Sequence, residues 1–157
     1  MAWIFVIRNK MKNMKPNIVL KIDIHINETV SKVWDALTRP EIIKQYFFGT
    51  DTDTDWKPGS PIRFSGEWQG KTYEDKGIVL ENEPNQLLSY DYWSSMSGLE
   101  DKPENYATVS YQLRPDGKGT YLSVIQENIQ DEKNKEHAAI NWKKVLESLK
   151  ILLENKF

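Results

Sequence analysis

An apolar residue recurs at every second position over residues 18–27, IVLKIDIHIN. One face carries Ile18, Leu20, Ile22, Ile24 and Ile26, and the other carries Val19, Lys21, Asp23, His25 and Asn27. Successive side chains of a strand point to opposite faces, so this pattern predicts a strand with one buried face.

Two short helices are predicted after this strand. Val30, Val33, Trp34 and Leu37 recur at the spacing of one helical face. Thr38 followed three residues later by Glu41 resembles a capping box, and Pro40 suits a first helical turn. We therefore expect a second helix over about 40–47, and then a polar loop over 48–60, which is rich in turn-forming residues.

The second half of the chain reads as consecutive strands followed by one long helix. Five strand-like runs cover about 61–68, 72–81, 86–94, 105–113 and 119–127, with a longer irregular loop over 94–104. From about 132 to 155, apolar residues recur at helical spacing and form one stripe: Ala138, Trp142, Val145, Leu146, Leu149, Leu152 and Leu153.

This order of elements predicts an α+β domain. Consecutive strands with short connections form antiparallel meanders, so about six strands should make one curved sheet around the long C-terminal helix. A bent sheet cannot contact a straight helix everywhere, and we expect a gap between them. We assign residues 17–157 to this domain and residues 1–16 to an N-terminal extension, in which Met11 and Met14 are alternative start positions.

Composition narrows the classes of partner and compartment. The 157 residues carry a formal net charge of -2, so the chain has no excess of basic residues with which to bind the phosphates of nucleic acid. No apolar run approaches the roughly 18–20 residues of a membrane span. The absence of cysteine excludes disulfides and thiolate chemistry and suits a reducing compartment, so we expect a cytoplasmic protein.

The stretch GEWQGKTYEDKG, residues 66–77, places acids beside aromatic residues. With Gln69-Gly70 as a hairpin loop, Phe64 pairs with Asp75, and paired residues share a face. Glu67 and Asp75 then lie on opposite faces and cannot act together as a carboxylate pair. Asp75 lies on the aromatic face, where it is either satisfied by a tyrosine or backbone partner or in contact with a ligand.

Other chemistry is sparse along the chain. His25 is on the polar face of the first strand, and His137 is on the edge of the helical stripe near Asn141. Neither has a partner at metal-ligand spacing, and no phosphate loop or nucleophile elbow is present, so we expect no metal and no cofactor. The acidic run DTDTD, 51–55, lacks the glycine and distal glutamate of a calcium loop.

Aromatic residues are the stronger signal, because several tyrosines beside an acid suit an apolar pocket with a few polar anchors. The ligand-contacting residues that we predict for such a cavity are Phe64, Trp68, Tyr73, Asp75, Tyr90, Tyr92, Tyr111, His137, Trp142 and Leu146. An ordinary aromatic core remains the alternative for some of them.

Three stretches of the chain carry a family resemblance: VWDALTRPEIIKQYFFG, DWKPGSPIRFSGEWQGKTYEDKGIVLENEPNQLLSYDYW and NWKKVLESLKILLE. They resemble the START-like superfamily, also called the SRPBCC or polyketide cyclase group. Within it they are most similar to single-domain homologues of the activator of the heat shock protein 90 ATPase. The resemblance runs from about residue 18 onward and implies a helix-grip fold with a cavity between sheet and helix.

The resemblance leaves three functions open. The first is the binding of an apolar or aromatic small molecule, entering between the 94–104 loop, the 48–60 loop and the terminal helix. The second is an enzyme of cyclase, dehydratase or hydrolase type, using Asp75 or His137 as a general base. The third is a protein-interaction module with a chaperone partner. The eukaryotic co-chaperone has a separate N-terminal docking domain, for which we expect no room in this chain.

Overall fold

The structure is a computed structural model that describes residues 17–155, and the expected N-terminal extension lies outside the described residues. The strands are β1 Ile18–Ile26, β2 Asp51–Asp53, β3 Pro61–Trp68, β4 Lys71–Glu83, β5 Leu87–Ser94, β6 Ala107–Asp116 and β7 Gly119–Ile129. The α-helices are α1 Val30–Thr38, α2 Pro40–Tyr46 and α3 Glu132–Glu154, with a short 3-10 helix at Pro103–Asn105.

The strands of the described chain form one antiparallel sheet in the order β1-β7-β6-β5-β4-β3-β2. The predicted α+β helix-grip fold is confirmed, because α3 packs its apolar stripe against this sheet. The short strand β2 adds a seventh to the roughly six predicted. It lies in the loop predicted to be polar, where Thr52 is buried opposite Phe64 while Asp51 and Asp53 face solvent.

The sheet packs against the apolar face of helix α3. Trp142, Val145, Leu146 and Leu149 are buried along it. Asp131 caps its start, since the Asp131 carboxylate accepts from the backbone N–H of Asn134 at 2.8 Å. The stripe predicted from the sequence is therefore the buried face of this helix.

The capping box predicted for α2 is wrong. Helix α1 continues through Thr38, whose hydroxyl donates to the carbonyl of Trp34 at 2.9 Å. Arg39 both ends α1 and starts α2, and it makes no side-chain capping bond. Because Thr38 is still helical, its side chain turns back along its own helix instead of capping the next one.

The predicted register of the β3–β4 hairpin is confirmed. Phe64 pairs with Asp75, Gly66 with Tyr73, and Trp68 with Lys71. The outward face carries the ion pair between Arg63 and Glu74. Gly66 has a steric role on the inward face, because a Cβ there would lie 2.7 Å from the Tyr73 hydroxyl oxygen.

Residues 17–155 contain neither a helix that could span a membrane nor a cluster of side chains that could bind a metal ion. Among residues 17–155, no helix combines the length and the apolar character that crossing a membrane requires. In the same range, no group of three or more acidic or histidine side chains converges as a metal site would require.

Candidate functional site

A cavity of about 240 Å³ lies between the inward face of the sheet and α3. We call it the aromatic cavity. Its lining consists of Phe47, Phe48, Thr50, Phe64, Trp68, Tyr73, Asp75, Tyr90, Tyr92, Ser94, Met96, Val109, Asn141 and Trp142. These residues come from the segment after α2, from strands β3 to β6, from the loop after β5, and from α3.

The mouth of the aromatic cavity is formed by exposed apolar side chains. Phe48, Trp68 and Met96 are 42%, 43% and 45% exposed, and the Phe48 and Trp68 rings lie 5.6 Å apart. Large apolar side chains are costly to leave in water, and a cluster of them around a cavity marks a binding surface more often than a folding requirement.

Phe48 is held in an unusual backbone conformation. Its φ is +53°, in the left-handed region that bulky residues rarely adopt, and Gly49 follows at +72°. The turn directs Phe47 toward Trp142, at 5.7 Å between ring centroids, while Phe48 contacts Trp68 at the mouth. Backbone strain of this kind persists only where the surroundings enforce it, and it is concentrated at functional sites.

The floor of the aromatic cavity is a set of tyrosines whose hydroxyls have partners. Tyr90 lies 5.2 Å from Phe64 between ring centroids, and its hydroxyl is 3.4 Å from that of Tyr111. Tyr73 shares a hydrogen bond of 2.6 Å with the hydroxyl of Thr50. These bonds fix the rings, so the cavity keeps its shape without a ligand.

On the helix side, Trp142 is anchored through Gln126. The indole Nε1 donates to Gln126 Oε1 at 2.8 Å, and Gln126 Nε2 donates to the Tyr92 hydroxyl at 3.5 Å. A single buried amide from β7 thus ties the helix wall to the sheet wall.

Asp75 is the exception to this pairing. Its Oδ1 is buried and has no hydrogen-bond partner among the described residues. Burial raises the pKa of the Asp75 carboxyl, and a hydrogen bond from Ser94 opposes this shift. The charge of Asp75 in turn contributes, after burial, to raising the pKa of Tyr92 to about 12. The sequence left two alternatives for Asp75: hydrogen bonds from a tyrosine or the backbone, or contact with a ligand. The first alternative does not hold for Oδ1, which has no such bond among the described residues.

Replacing Asp75 by asparagine should stabilise the fold at neutral pH. A carboxyl whose pKa is raised by folding stabilises the folded state only while it is protonated, so this contribution is lost as pH rises through the folded pKa. Asp75→Asn should therefore have a higher free energy of unfolding than wild type at pH 7.5, and the gain should shrink toward pH 4. Urea denaturation at both pH values measures it.

Asp23→Asn is the matched control with the opposite sign. A hydrogen bond from the Ser123 hydroxyl, at 2.6 Å, is the main cause that lowers the pKa of Asp23. Removing that carboxylate should reduce stability at pH 7.5 and still do so at pH 4, because the contribution of a lowered pKa is lost only as pH falls below 3.8, the usual value for an aspartate. If Asp75→Asn lost stability at pH 7.5 as Asp23→Asn does, Oδ1 of the ionised Asp75 would have a partner, contrary to the structure.

A second opening of about 510 Å³ adjoins the aromatic cavity. We call it the amide cleft, because its lining includes Asn105, Gln126, Asn128, Gln130, Asn134 and Asn141. His137 lines this cleft and is exposed, whereas Asp75 lines only the aromatic cavity. The two side chains proposed as general bases therefore face different openings. Phe48, Ser94 and Trp142 are among the residues that both openings share.

This arrangement of sheet, long helix and intervening cavity can be compared with known proteins. Residues 27–154 match the family described as Activator of Hsp90 ATPase homolog 1-like protein. The chain belongs to this family. Its match covers most of the segment in which the sequence resembles the START-like superfamily, and that resemblance is confirmed. No curated protein matches the chain.

Two solved structures agree with the family assignment. The solution structure of ChR145 from Cytophaga hutchinsonii is 43% identical, covers 88% of this chain and 94% of its own, and has a TM-score of 0.77. The crystal structure of MLL2253 from Mesorhizobium loti is 25% identical, covers 87% of this chain and 97% of its own, and has a TM-score of 0.72.

A third structure is similar in fold alone. The solution structure of the Aha1 dimer from Colwellia psychrerythraea is 21% identical, covers 87% of this chain and 96% of its own, and has a TM-score of 0.71. At this identity the likeness concerns the arrangement of strands and helices.

Most of the residues predicted from the sequence come together in this family member. Those that line the aromatic cavity are Phe64, Trp68, Tyr73, Asp75, Tyr90, Tyr92 and Trp142. Tyr111 and Leu146 line neither opening: Tyr111 is buried with its ring centroid 5.9 Å from that of Trp142, and Leu146 is 2% exposed in the core.

Sequence reasoning did not select Phe47, Phe48, Thr50, Ser94, Met96, Val109 or Asn141, which also line the aromatic cavity. The pair Phe47-Phe48 before Gly49 was the available signal, since two large aromatic residues at the end of a helix are seldom both buried. Thr50 and Ser94 carry no signal of their own, because each reaches the cavity only through the way its loop or strand is placed.

Proposed function

We propose that this protein binds an apolar or aromatic small molecule in the aromatic cavity. The observation that carries the proposal is a mouth of exposed Phe48, Trp68 and Met96 above a floor of hydrogen-bonded tyrosines. Small-molecule sites are concave, mostly apolar and largely preformed, with a few polar groups for orientation. At about 240 Å³ the cavity is smaller than the roughly 300–1,000 Å³ typical of such sites, which favours a compact ligand with one or two rings.

The loops and α3 around the mouth support the route of entry expected from the sequence. Phe48 and Thr50 come from the segment after α2, Met96 from the loop after β5, and Asn141 from α3. A ligand entering between them would bury apolar surface worth about 25 cal/mol per Å². The absence of cysteine remains the ground for placing this function in the cytoplasm.

Binding of the neutral two-ring fluorescent probe 6-propionyl-2-(dimethylamino)naphthalene tests the proposal. Wild type should enhance its fluorescence saturably, and the double variant Phe48→Ala/Trp68→Ala should bind it at least about tenfold more weakly, the equivalent of about 1.4 kcal/mol. Both side chains are partly exposed, so their removal should leave the fold intact.

Ile151→Ala is the control, because Ile151 is an exposed apolar residue at 59% that lines neither opening. It should bind the probe like wild type. Equal affinity of all three proteins, or no saturable binding by wild type, would overturn the proposal. Native mass spectrometry of freshly purified protein would in addition reveal a ligand carried from the cell, as a mass excess that vanishes on denaturation.

An enzyme acting in the same cavity is a second candidate, supported by the raised pKa of Asp75. A carboxyl shifted toward neutrality in a cleft is a common general acid or base. Turnover that is lost in Asp75→Asn while probe binding is kept would support this function. The description of the family names a third candidate, a chaperone-linked interaction, which would depend on the outer charged face and should be abolished by Glu67→Lys.

A further inference from the structure

The charge in the aromatic cavity is of one sign. Among the described residues that line it, Asp75 is the only Asp, Glu, Lys, Arg or His. The remaining polar lining groups are hydroxyls, one amide and the indoles of Trp68 and Trp142. Any charged ligand that enters therefore meets a carboxyl group and no protein cation.

The basic side chains nearest to Asp75 along the hairpin are engaged elsewhere. Lys76, the next residue, points to the opposite face and forms an ion pair with Asp101 at 2.5 Å. Arg63 forms its ion pair with Glu74 on that same outer face. The alternation of the strands thus keeps both cations away from Asp75, and Oδ1 of Asp75 stays buried without a partner among the described residues.

Aromatic rings lie on the same face of the sheet as the carboxyl group. Phe64 is the cross-strand partner of Asp75 on one side, and Ser94 is its partner on the other. Tyr90 extends the surface beside Phe64, at 5.2 Å between ring centroids. Ring faces attract cations. A carboxylate beside aromatic rings therefore gives a cationic ligand both an opposite charge and an apolar surface to pack against.

Several of the other polar groups of the cavity already have partners. The Tyr73 hydroxyl is bonded to Thr50 at 2.6 Å, and the Trp142 indole donates to Gln126 at 2.8 Å. A ligand's polar head is therefore directed to Asp75 instead of to these groups. An anionic head would be repelled there, whereas a cationic head would satisfy the buried oxygen.

We infer that the aromatic cavity binds an organic ammonium ion, whose N–H group donates to Oδ1 of Asp75 while its apolar body packs on the surrounding rings. This inference rests on the proposed function and names the chemical class of its ligand: a compact amine with one or two rings. A single carboxylate suits one such amine and is too few ligands for a metal ion.

Matched probes of the same shape test the charge. Calorimetric titrations at pH 7.5 would compare 2-(2-naphthyl)ethylamine, which is protonated, with its neutral counterpart 2-(2-naphthyl)ethanol. Wild type should bind the amine at least about tenfold more tightly than the alcohol. In Asp75→Asn the two affinities should come within about threefold of each other, because the charge partner is gone while the rings remain.

The pH profile of wild type gives a second readout that needs no variant. Affinity for the amine should fall as pH is lowered through the pKa of Asp75, because a protonated carboxyl no longer attracts a cation, while affinity for the alcohol should stay level. The other polar groups that share its face are the hydroxyls of Tyr73, Tyr92 and Ser94, and none of them is a carboxylate or a cation. His137 faces the amide cleft, and the control variant His137→Gln should keep the profile.

The outcomes separate this inference from the proposed function. Equal binding of amine and alcohol by wild type, or an amine preference that persists in Asp75→Asn, overturns the ammonium assignment and leaves the binding function standing. Failure of both probes and of 6-propionyl-2-(dimethylamino)naphthalene to bind overturns both. Alcohol binding that exceeds amine binding and weakens as pH rises would instead make the protonated Asp75 a hydrogen-bond donor to a neutral ligand.

Discussion

Trp142→Ala should lower the free energy of unfolding by about 3–5 kcal/mol, the range for a buried tryptophan truncated to alanine. Trp142 is 7% exposed and its ring makes edge contacts with Phe47 and Tyr111. Truncation removes those contacts and also leaves Gln126 Oε1 buried without its donor. Since whole domains are stable by about 5–15 kcal/mol, a loss of this size would remove a large share of the free energy that keeps the protein folded.

Two variants divide this effect into its parts. Trp142→Phe keeps a ring but removes the donor to Gln126, and it should cost about 1–3 kcal/mol. Ile140→Ala, on the exposed side of the same helix at 54%, should change stability by no more than about 0.5 kcal/mol. Chemical denaturation of all three measures these differences. A Trp142→Ala protein as stable as Ile140→Ala would mean that α3 does not close on the sheet through this residue.

Gly77→Ala should destabilise the protein by at least about 3 kcal/mol, at or beyond the upper end of the range for overpacking. An added Cβ at Gly77 would lie 1.7 Å from the carbonyl oxygen of Asp91, and this obstacle is backbone, which cannot rotate away. The strands β4 and β5 would have to separate locally. The bond from the Ile78 N–H to Asp91 Oδ1, now 2.9 Å, would be strained with them.

Gly98→Ala is the matched control for Gly77→Ala. Gly98 has a φ of +77°, so alanine there is strained, but nothing lies within 4 Å of the added Cβ. We expect a cost of about 1–2 kcal/mol, the strain of the left-handed conformation alone. Thermal or urea unfolding of both variants gives the comparison. If Gly77→Ala were no more destabilising than Gly98→Ala, β4 and β5 would not approach each other closely at this position.

The cavity and the stability of the fold depend partly on the same residues. Trp142 and Val109 line the aromatic cavity and are also buried in the core. Substituting either residue would change ligand affinity and the stability of the fold together, and the two effects could not be separated. Phe48 and Trp68 line the same cavity from exposed positions. Variants at the mouth of the cavity therefore report on binding, whereas variants of its buried wall report on stability.

Several features of this protein were determined by the sequence itself. The alternation over residues 18–26 and the stripe on α3 predicted which faces are buried, because side-chain periods of two and 3.6 residues follow from backbone geometry alone. The β3–β4 register followed from the turn at Gln69-Gly70, which have φ values of +50° and +79°. That register is sufficient to place Asp75 on the same face as the aromatic residues of the hairpin.

Other features required the tertiary structure. Periodicity assigns a residue to a face but not to a depth, and so Tyr111 and Leu146 were predicted to contact a ligand yet lie in the packed core. Strand β2, with three residues, is too short to show a period. It forms because Thr52 lies opposite Phe64 once β3 is in place.

The mouth of the cavity depends on packing that is distant in sequence. Phe48 meets Trp68 only because the turn after α2 is brought against the end of the β3–β4 hairpin. Whether Oδ1 of Asp75 is buried and unpaired depends on where Lys76, Ser94 and α3 come to lie, and no local pattern encodes those positions. The sequence by itself determined the faces of the elements, whereas the tertiary structure decided which parts of those faces touch each other and which enclose a space, because contact between distant segments is set by the packing of the whole domain.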